Sequence, residues 1–529
     1  MSSPGGPSIT NIIVVMLENR SYDNVLGWLY NPCNQPPYNQ APSGQSSLNG
    51  LTGNETNPSI PPGGDPIAVA NQTTTTDGRT GAVYPGTAVP LYDPGEPFKD
   101  MAQQILGGDS APTTNPYDTD TWPPDSDTLM QGFTLNYAQN TEPLSLQRVP
   151  PANYPDVMSY LTPEQLPVTA WLANNFAVCD QWFASVPTQT FTNRAFAICA
   201  APAVHHELDG RSFSLIDDAQ YVTDSIVTLP SVFSQLDANF PDSASSTPPN
   251  WKVYFHDYSI TTMISPYVYS SGKSDNNVNV ATYDDTDWGS NPDPLPTPCP
   301  TSVVHPFGMR LGAVPTTFLE DLTNNTLPKF AFIEPRYAND YAPNKNSPNS
   351  NHPGAGGYLK IVVSDDNPPV DTADGEAFLL QVYNALRNSD YWSSSLLIIT
   401  YDEHGGVYDH VVPPAVPADA VPPGPNIPPV SDLTDGTADG FNFNVYGGRV
   451  PAIIVSPFIG AGTTITPPAG SPPFDHASIL KTVWDCFNIA DSLTYRDAAA
   501  PSLYPSLSST ADNDTGSCPV APGGTTDGK

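Results

Sequence analysis

Basic side chains are scarce in this chain. Its 529 residues hold 18 Lys and Arg against 54 Asp and Glu, a formal net charge of −36 at pH 7. Such a surface repels nucleic acid and anionic membrane, so no nucleic-acid partner is expected and membrane contact is at most a transient surface encounter. A free anionic ligand is repelled too, unless a cation and local donors reverse the potential at its site. Long apolar runs are also missing, and none approaches the ~20 residues of a membrane span. Met1-Ser2-Ser3-Pro4-Gly5-Gly6-Pro7 leads straight into an apolar strand and shows no signal peptide. The expectation is a secreted or periplasmic protein whose leader has been trimmed, with an intracellular one as the alternative. The six cysteines (Cys33, Cys179, Cys199, Cys299, Cys486 and Cys518) have no C-x-x-C spacing. That argues against a zinc–thiolate site, and their even number permits disulfides without demanding them. No internal repeat is visible, and nothing specifies an oligomeric state.

Proline, by contrast, is abundant at 63 residues. It concentrates between periodic segments and divides the chain into α/β blocks and irregular excursions. Residues 9–17, 251–255, 329–334, 396–401 and 449–456 read as strands. Residues 163–176 (with Thr162 as N-cap), 376–387 and 477–484 read as helices, and Ala195 to Ala200 as another. Strands alternating with helices predict a mostly parallel sheet with helices on both faces. Residues 1–505 are expected to form one large domain with long proline-rich insertions at about 33–97, 270–300, 338–372 and 411–445, and 506–529 a peripheral tail. The 33–97 segment is expected to be a surface insertion.

Two apolar runs end abruptly in acids and amides. Val14-Val15-Met16-Leu17 runs into Glu18-Asn19, and Leu396-Leu397-Ile398-Ile399-Thr400-Tyr401 into Asp402-Glu403-His404-Gly405-Gly406. A buried parallel strand delivers ligands to the carboxyl edge of a sheet in this way. Three carboxylates and an amide oxygen suit one hard divalent cation, Ca²⁺, Mg²⁺ or Mn²⁺. Such a cation beside a nucleophile serves phosphoryl transfer. Thr190, in the polar turn Ser185-Val-Pro-Thr-Gln-Thr-Phe-Thr-Asn-Arg194 that opens a helix, is a candidate nucleophile, because helix N-terminal N–H groups favour an alkoxide or a phosphoryl ester. On the turn alone, a bare N-cap is the other reading.

These segments, with Thr162-Pro-Glu-Gln-Leu-Pro167, Cys179-Asp-Gln-Trp-Phe-Ala-Ser-Val-Pro187, Trp251-Lys-Val-Tyr254, Ile333-Glu-Pro-Arg336, Tyr401-Asp-Glu-His-Gly-Gly-Val-Tyr-Asp-His410 and Arg496-Asp-Ala-Ala-Ala-Pro501, follow the order seen in the phosphoesterase family. The chain resembles that family, which holds bacterial phosphatidylcholine-preferring phospholipases C, plant non-specific phospholipases C and acid phosphatase A type enzymes, from about residue 10 to about 505. The resemblance implies an alkaline-phosphatase-like fold and a metal-dependent phosphoric ester hydrolase acting on a phosphoester or phospholipid. It implies Glu18, Asn19, Asp402 and Glu403 as ligands of one divalent metal ion and Thr190 as a nucleophile that passes through a phosphothreonine. His352, in Asn351-His352-Pro353, is similar to a family histidine that meets phosphate or leaving group. His404 is a candidate to protonate the leaving oxygen, and Asn193 and Glu96 are matched to substrate-binding positions. Glu96 departs from the pattern, since many members carry histidine there in an Asp-Pro-x-His stretch. Cleavage of a phosphodiester in the phospholipase C manner is the expected activity. The alternatives are an acid phosphatase acting on monoesters and a non-catalytic, metal-stabilised binding protein.

Other signals have plainer readings. His205-His206 reads as a solvated loop and the Asp-rich stretch 283–287 as a surface turn. Trp28, Trp171, Trp182 and Trp484 read as core. His410 and His476 are balanced between a supporting role at the site and plain structure.

Overall fold

The computed structural model describes residues 6–30, 38–119, 121–140, 148–206, 210–223, 229–241, 248–255, 259–265, 280–282, 317–337, 348–354, 369–431 and 436–519. The 283–287 turn, the insertion 270–300 apart from three of its residues, and most of 338–372 lie outside them, as do Cys33 and Cys299. Among the described residues Cys179, Cys199, Cys486 and Cys518 are free thiols.

Aliphatic and β-branched runs become strands where both faces of the pleat are covered. β1 (Asn11–Leu17), β2 (Ala177–Val178), β3 (Trp251–Phe255), β4 (Val280–Thr282), β5 (Phe330–Ile333), β6 (Ser395–Tyr401), β7 (Ala452–Val455) and β8 (Thr463–Thr464) form one sheet in the order β4-β3-β5-β1-β6-β7-β2-β8. β1 lies between β5 and β6, parallel to both, with Leu17 opposite Tyr401. β7 is antiparallel to β6 and β2, and the remaining pairs are parallel. Every residue of β1 and β6 is buried, so neither face of the sheet meets water there. The mostly parallel α/β sheet expected from the sequence is what forms.

The helices that matter for the site are α1 (Phe98–Leu106), α2 (Phe133–Gln139), α3 (Pro167–Asn175), α4 (Thr190–Cys199), α5 (Ile260–Ile264), α6 (Thr372–Arg387) and α7 (Ala477–Phe487). α6 packs on α3, and α4 packs on both α5 and α7. Several helix boundaries differ from the sequence reading: α6 begins at Thr372, four residues earlier than read, and α7 runs on to Phe487. α3 begins at Pro167, four residues late: Pro sits at the first helical position and excludes Leu166 from helical backbone (φ −121°, ψ 63°), so Thr162 caps nothing. α4 begins at Thr190 rather than Ala195, with Gln189 as its N-cap.

The proline-rich segments are more than surface excursions. Leu51, Val69, Leu91 and Tyr92 of the 33–97 insertion bury against Ile105, Phe133, Tyr137 and Tyr408, forming a second apolar cluster over the carboxyl edge of the sheet. Phe441, Phe443 and Val445 of the 411–445 loop pack with Phe98, Val186 and Phe196. In the expected tail, Thr515 O accepts from Arg387 Nε and Cys518 is buried. Trp28, Trp182 and Trp484 are buried, and Trp171 packs against the main core.

Candidate active site

Parallel strands release their C-terminal residues at one edge. Glu18 and Asn19 leave β1 there, Asp402, Glu403 and His404 leave β6, and Glu334 leaves β5. The pairing of Leu17 with Tyr401 puts Glu18 and Asp402 side by side, and Asp402 N–H still donates to Leu17 O at 3.2 Å. Asn19 turns the chain with φ +59°, a left-handed conformation unusual outside glycine. Its N–H and that of Glu403 both donate to Asp402 Oδ1, at 3.0 and 2.8 Å. Gly405 is required opposite this turn: with φ +65°, a Cβ there would lie 2.0 Å from Asn19 O.

Thr190 is fully buried at the first position of α4, with Oγ1 3.5 Å from Asn19 Oδ1. The next N–H, of Phe191, donates to Asp218 Oδ1 at 2.8 Å. Neither carboxylate oxygen of Glu18 has a hydrogen bond of ordinary geometry, and neither does Glu403 Oε1. Burial and then Asp402 push both Glu18 and Glu403 well above the usual carboxylate range, with Arg194 offsetting part of this at Glu18. Buried carboxylate oxygens without donors are costly unless protonated or met by a cation. The open oxygens of Glu18 and Glu403 are of the kind a hard divalent ion takes, with Asp402 and the Asn19 carbonyl beside them as further oxygen donors. Among the described residues, the groups whose three ligand atoms already lie within 4.8 Å of one another are Asp93–Glu96–His352 and Asp23–Asp409–His410.

The structure brings Glu96 into this group. Its Oε1 accepts from Asn19 Nδ2 at 2.6 Å, and burial, Asp93 and Glu403 raise its pKa. His352 is buried with Nδ1 2.7 Å from Pro353 O; a carbonyl only accepts, so Nδ1 carries the proton and Nε2 faces Glu96 Oε1 at 3.6 Å. Asp93, Glu96 and His352 thus form a compact acid–acid–imidazole cluster beside Asn19.

His404 and Asn193 have other partners. Gln104 Nε2 donates to Gly95 O and Asn136 Oδ1, so its Oε1 must accept from His404 Nε2 at 2.9 Å. Burial lowers the His404 pKa to about 4 and its Nδ1 has no partner, which leaves a neutral ring whose one proton is committed to α1. The Asn193 amide serves the backbone of the 185–190 turn: Oδ1 accepts from Val186 N–H, and Nδ2 donates to Val186 O, Thr188 O and Gln189 O.

The two undecided histidines are both bound into the scaffold. His476 Nε2 donates to Asp402 O at 2.6 Å. His410 takes Asp23 Oδ2 with both its N–H and Nδ1, in a network where Arg449 bridges Asp23 and Asp409. Arg449 reaches this edge because β7 runs the opposite way, and its guanidinium already balances the two aspartates. His205 and His206 lie on a separate two-stranded hairpin.

Sequence reasoning passed over Arg194, Glu334 and Gln104. Glu334 carries the signal that revealed Glu18, an acid directly after an apolar strand. Arg194 lies one turn after Thr190, on the helix face turned toward the strand ends. Gln104 had no signal in the sequence.

A model of the family described as "Phosphoesterase family" matches residues 9–490. Non-specific phospholipase C6 of Arabidopsis thaliana is 30% identical over 509 residues, spanning 93% of this chain and 71% of that protein. Non-specific phospholipase C1 of the same plant is 29% identical, over 94% of this chain and 70% of the relative. Phospholipase C A of Mycobacterium tuberculosis is 24% identical over 63% of this chain and 53% of its own length. Among solved structures, a Vibrio parahaemolyticus protein of the alkaline phosphatase superfamily overlaps 64% of each chain at a TM-score of 0.30 and 11% identity, an overlap too small to carry an argument.

Proposed function

The chain belongs to the phosphoesterase family and is a hydrolytic phosphoesterase; from that premise we propose a metal-dependent enzyme that cleaves a phosphodiester, in the phospholipase C manner, through a phosphothreonine. The observation that carries this reading is the set of unpartnered, buried carboxylate oxygens on Glu18 and Glu403, grouped with Asn19 and Asp402 beside the Thr190 hydroxyl at a helix N-terminus. A divalent cation held there supplies phosphate charge neutralisation and a lower pKa for a coordinated hydroxyl.

Thr190 Oγ attacks phosphorus and loses its proton. The bond from phosphorus to the leaving alcohol breaks, and the alcohol departs protonated. Water then opens the phosphothreonine, releasing the phosphorylated headgroup and restoring the hydroxyl. Thr190 sits at the positive end of α4, although the Phe191 N–H of that turn is taken by Asp218. We assign the leaving oxygen to the His352–Glu96 side, with the Glu96 carboxyl, whose pKa burial and Asp93 raise, as its proton source, because the His352 proton sits on Nδ1 against Pro353 O and the His404 proton is committed to Gln104. Asn193 shapes the turn from inside. The names of the plant and mycobacterial relatives support a phospholipid substrate.

Acid phosphatase chemistry is the second reading, favoured by the raised pKa of Glu96, which allows a neutral side chain to face a dianionic monoester. Hydrolysis of p-nitrophenylphosphorylcholine against p-nitrophenyl phosphate, after chelation and re-addition of Ca²⁺, Mg²⁺ or Mn²⁺, separates the two. Faster, metal-restored cleavage of the choline diester is expected. Metal-independent hydrolysis overturns the metal assignment, and preference for the monoester overturns the diester one.

A further inference from the structure

Three different segments must be held in register at this edge: the ends of β1 and β6, which carry the carboxylates, and the start of α4, which carries Thr190. One side chain touches all three. Arg194 is fully buried on α4, one turn beyond Thr190. Its Nε donates to Asp402 Oδ2 at 3.0 Å, and its Nη2 to Met16 O at 3.3 Å and Leu17 O at 3.2 Å. The remaining arm, Nη1, makes no hydrogen bond and lies 3.8 Å from Glu334 Oε1, at the end of β5. The Tyr337 ring covers the guanidinium, 5.3 Å from its centroid.

Glu334 is itself anchored. Ser259 Oγ donates to its Oε2, and Thr261 N–H (3.0 Å, at the start of α5) and Tyr337 OH (3.2 Å) donate to its Oε1. Glu334 therefore faces the outer arm of Arg194 as a buried countercharge while the inner arms grip β1 and β6. A planar fork with donors on three nitrogens can do this, and a lysine ammonium cannot.

We propose that Arg194 is a positioning residue that sets the Thr190 hydroxyl against the Glu18–Asn19–Asp402–Glu403 group, with Glu334 as its anchor. This rests on the reading of Thr190 as nucleophile and of that group as the metal site. The carboxylate of Asp402 does not depend on Arg194 for its orientation, since the Asn19 and Glu403 N–H groups hold its Oδ1. Ligand geometry thus survives loss of the guanidinium, whereas the placement of α4 does not. A misplacement of about 1 Å at a reacting group costs on the order of 100-fold in rate.

The test uses the full chain, p-nitrophenylphosphorylcholine as substrate and Mn²⁺ as metal probe. In Arg194→Lys, kcat is expected to fall about 100-fold with KM within about threefold, while calorimetric Mn²⁺ affinity of the metal-free protein stays within about tenfold. Arg194→Gln is expected to lose at least as much kcat. Parent-like kcat in either folded variant overturns the proposal. So does a Mn²⁺ affinity that falls in step with kcat, because Arg194 would then be a prop for the ligands. Should neither variant fold, Glu334→Gln carries the test, with kcat expected about tenfold lower and Mn²⁺ binding unchanged; parent-like kcat there is the overturning result. Thr190→Ala, measured alongside, separates the two levels. Full activity in Thr190→Ala defeats the nucleophile reading, whereas an inactive Thr190→Ala beside a parent-like Arg194→Lys defeats this inference alone.

Discussion

Glu96 decides which way the Asn19 amide points. Asn19 Nδ2 donates to Glu96 Oε1 at 2.6 Å, which turns Oδ1 toward Thr190, 3.5 Å from its hydroxyl. An asparagine offers a cation only its oxygen, so under the proposed metal assignment this contact aims the amide's candidate ligand atom toward Thr190. The residue that departs from the Asp-Pro-x-His pattern thus keeps a structural task at the site, whatever it does toward substrate.

Removing that acceptor should loosen the site without emptying it. Glu96→Ala is expected to weaken Mn²⁺ binding by about 10- to 100-fold, the usual cost of losing a group that orients a ligand. Glu96→Gln, whose Oε1 can still accept from Asn19, should recover most of that affinity. Calorimetry on the metal-free protein reads both, and equal losses in the two variants would show that charge rather than orientation matters.

At Thr190, serine keeps a hydroxyl at the helix N-terminus and alanine does not. Thr190→Ser is expected to retain activity within about tenfold, and Thr190→Ala to lose on the order of 1000-fold or more. Acid-quenched parent enzyme should carry one phosphoryl group on the peptide containing Thr190, detectable by mass spectrometry. Its absence under rapid quench, together with an active alanine variant, would rule out the covalent route.

Glu18 is a liability when no cation is present. Glu18→Gln removes a buried carboxyl group whose pKa burial and Asp402 raise, and is expected to stabilise the metal-free protein by about 1–3 kcal/mol. The same change should abolish the rise in Tm on adding Mn²⁺. Thermal unfolding with and without metal checks both, and an undiminished metal-induced shift would remove Glu18 from the ligand set.

Glu376 gives the fold a pH dependence away from the site. Its carboxylate accepts from Val168 N–H, Thr169 N–H and the Thr169 hydroxyl at the start of α3, yet burial raises its pKa to about 7. Between about pH 4.5 and 7 the folded state holds this proton and the unfolded chain does not, so the contribution favours folding at low pH and is lost as pH rises through 7. Glu376→Gln is expected to flatten stability against pH across that window, by up to on the order of 3 kcal/mol relative to the parent. Denaturant unfolding at pH 5 and pH 8 measures it; an identical slope in the variant would contradict it.

Gly405 should tolerate no side chain. In Gly405→Ala the new Cβ meets Asn19 O at 2.0 Å on backbone with φ +65°, so a loss above about 2 kcal/mol is expected along with most of the activity. A parent-like Tm and rate would mean that the two turns can separate.

Much of this centre was legible in the chain. The aliphatic runs before Glu18 and Asp402 specified buried strands, and polar residues directly after them had to emerge at a sheet edge. The same rule would have found Glu334. It could not find Arg194 as the link between the strands and α4, because a lone arginine after asparagine has no periodic signal. Nor could it show that Asn193 and the His404 proton are engaged within the protein, since both facts depend on which backbone and amide groups the folded chain brings near. The helix read over 163–176 was found but its start was misplaced, because its N-cap pattern pointed to Thr162 while proline backbone restriction set the first turn at Pro167.

The sequence by itself determined the kinds of groups at the centre: carboxylates and an amide at the ends of apolar strands, a threonine at a helix start, and an acidic surface. Those follow from local physics, because apolar period and the polar breaks that end it act over a few residues. The tertiary structure decided how these groups face one another. Glu96 meets Asn19 across 77 residues and Arg194 meets Asp402 across 208. Contacts over such separations follow from strand order, register and side-chain rotamer, which exist only once the sheet has assembled and its edge has been buried.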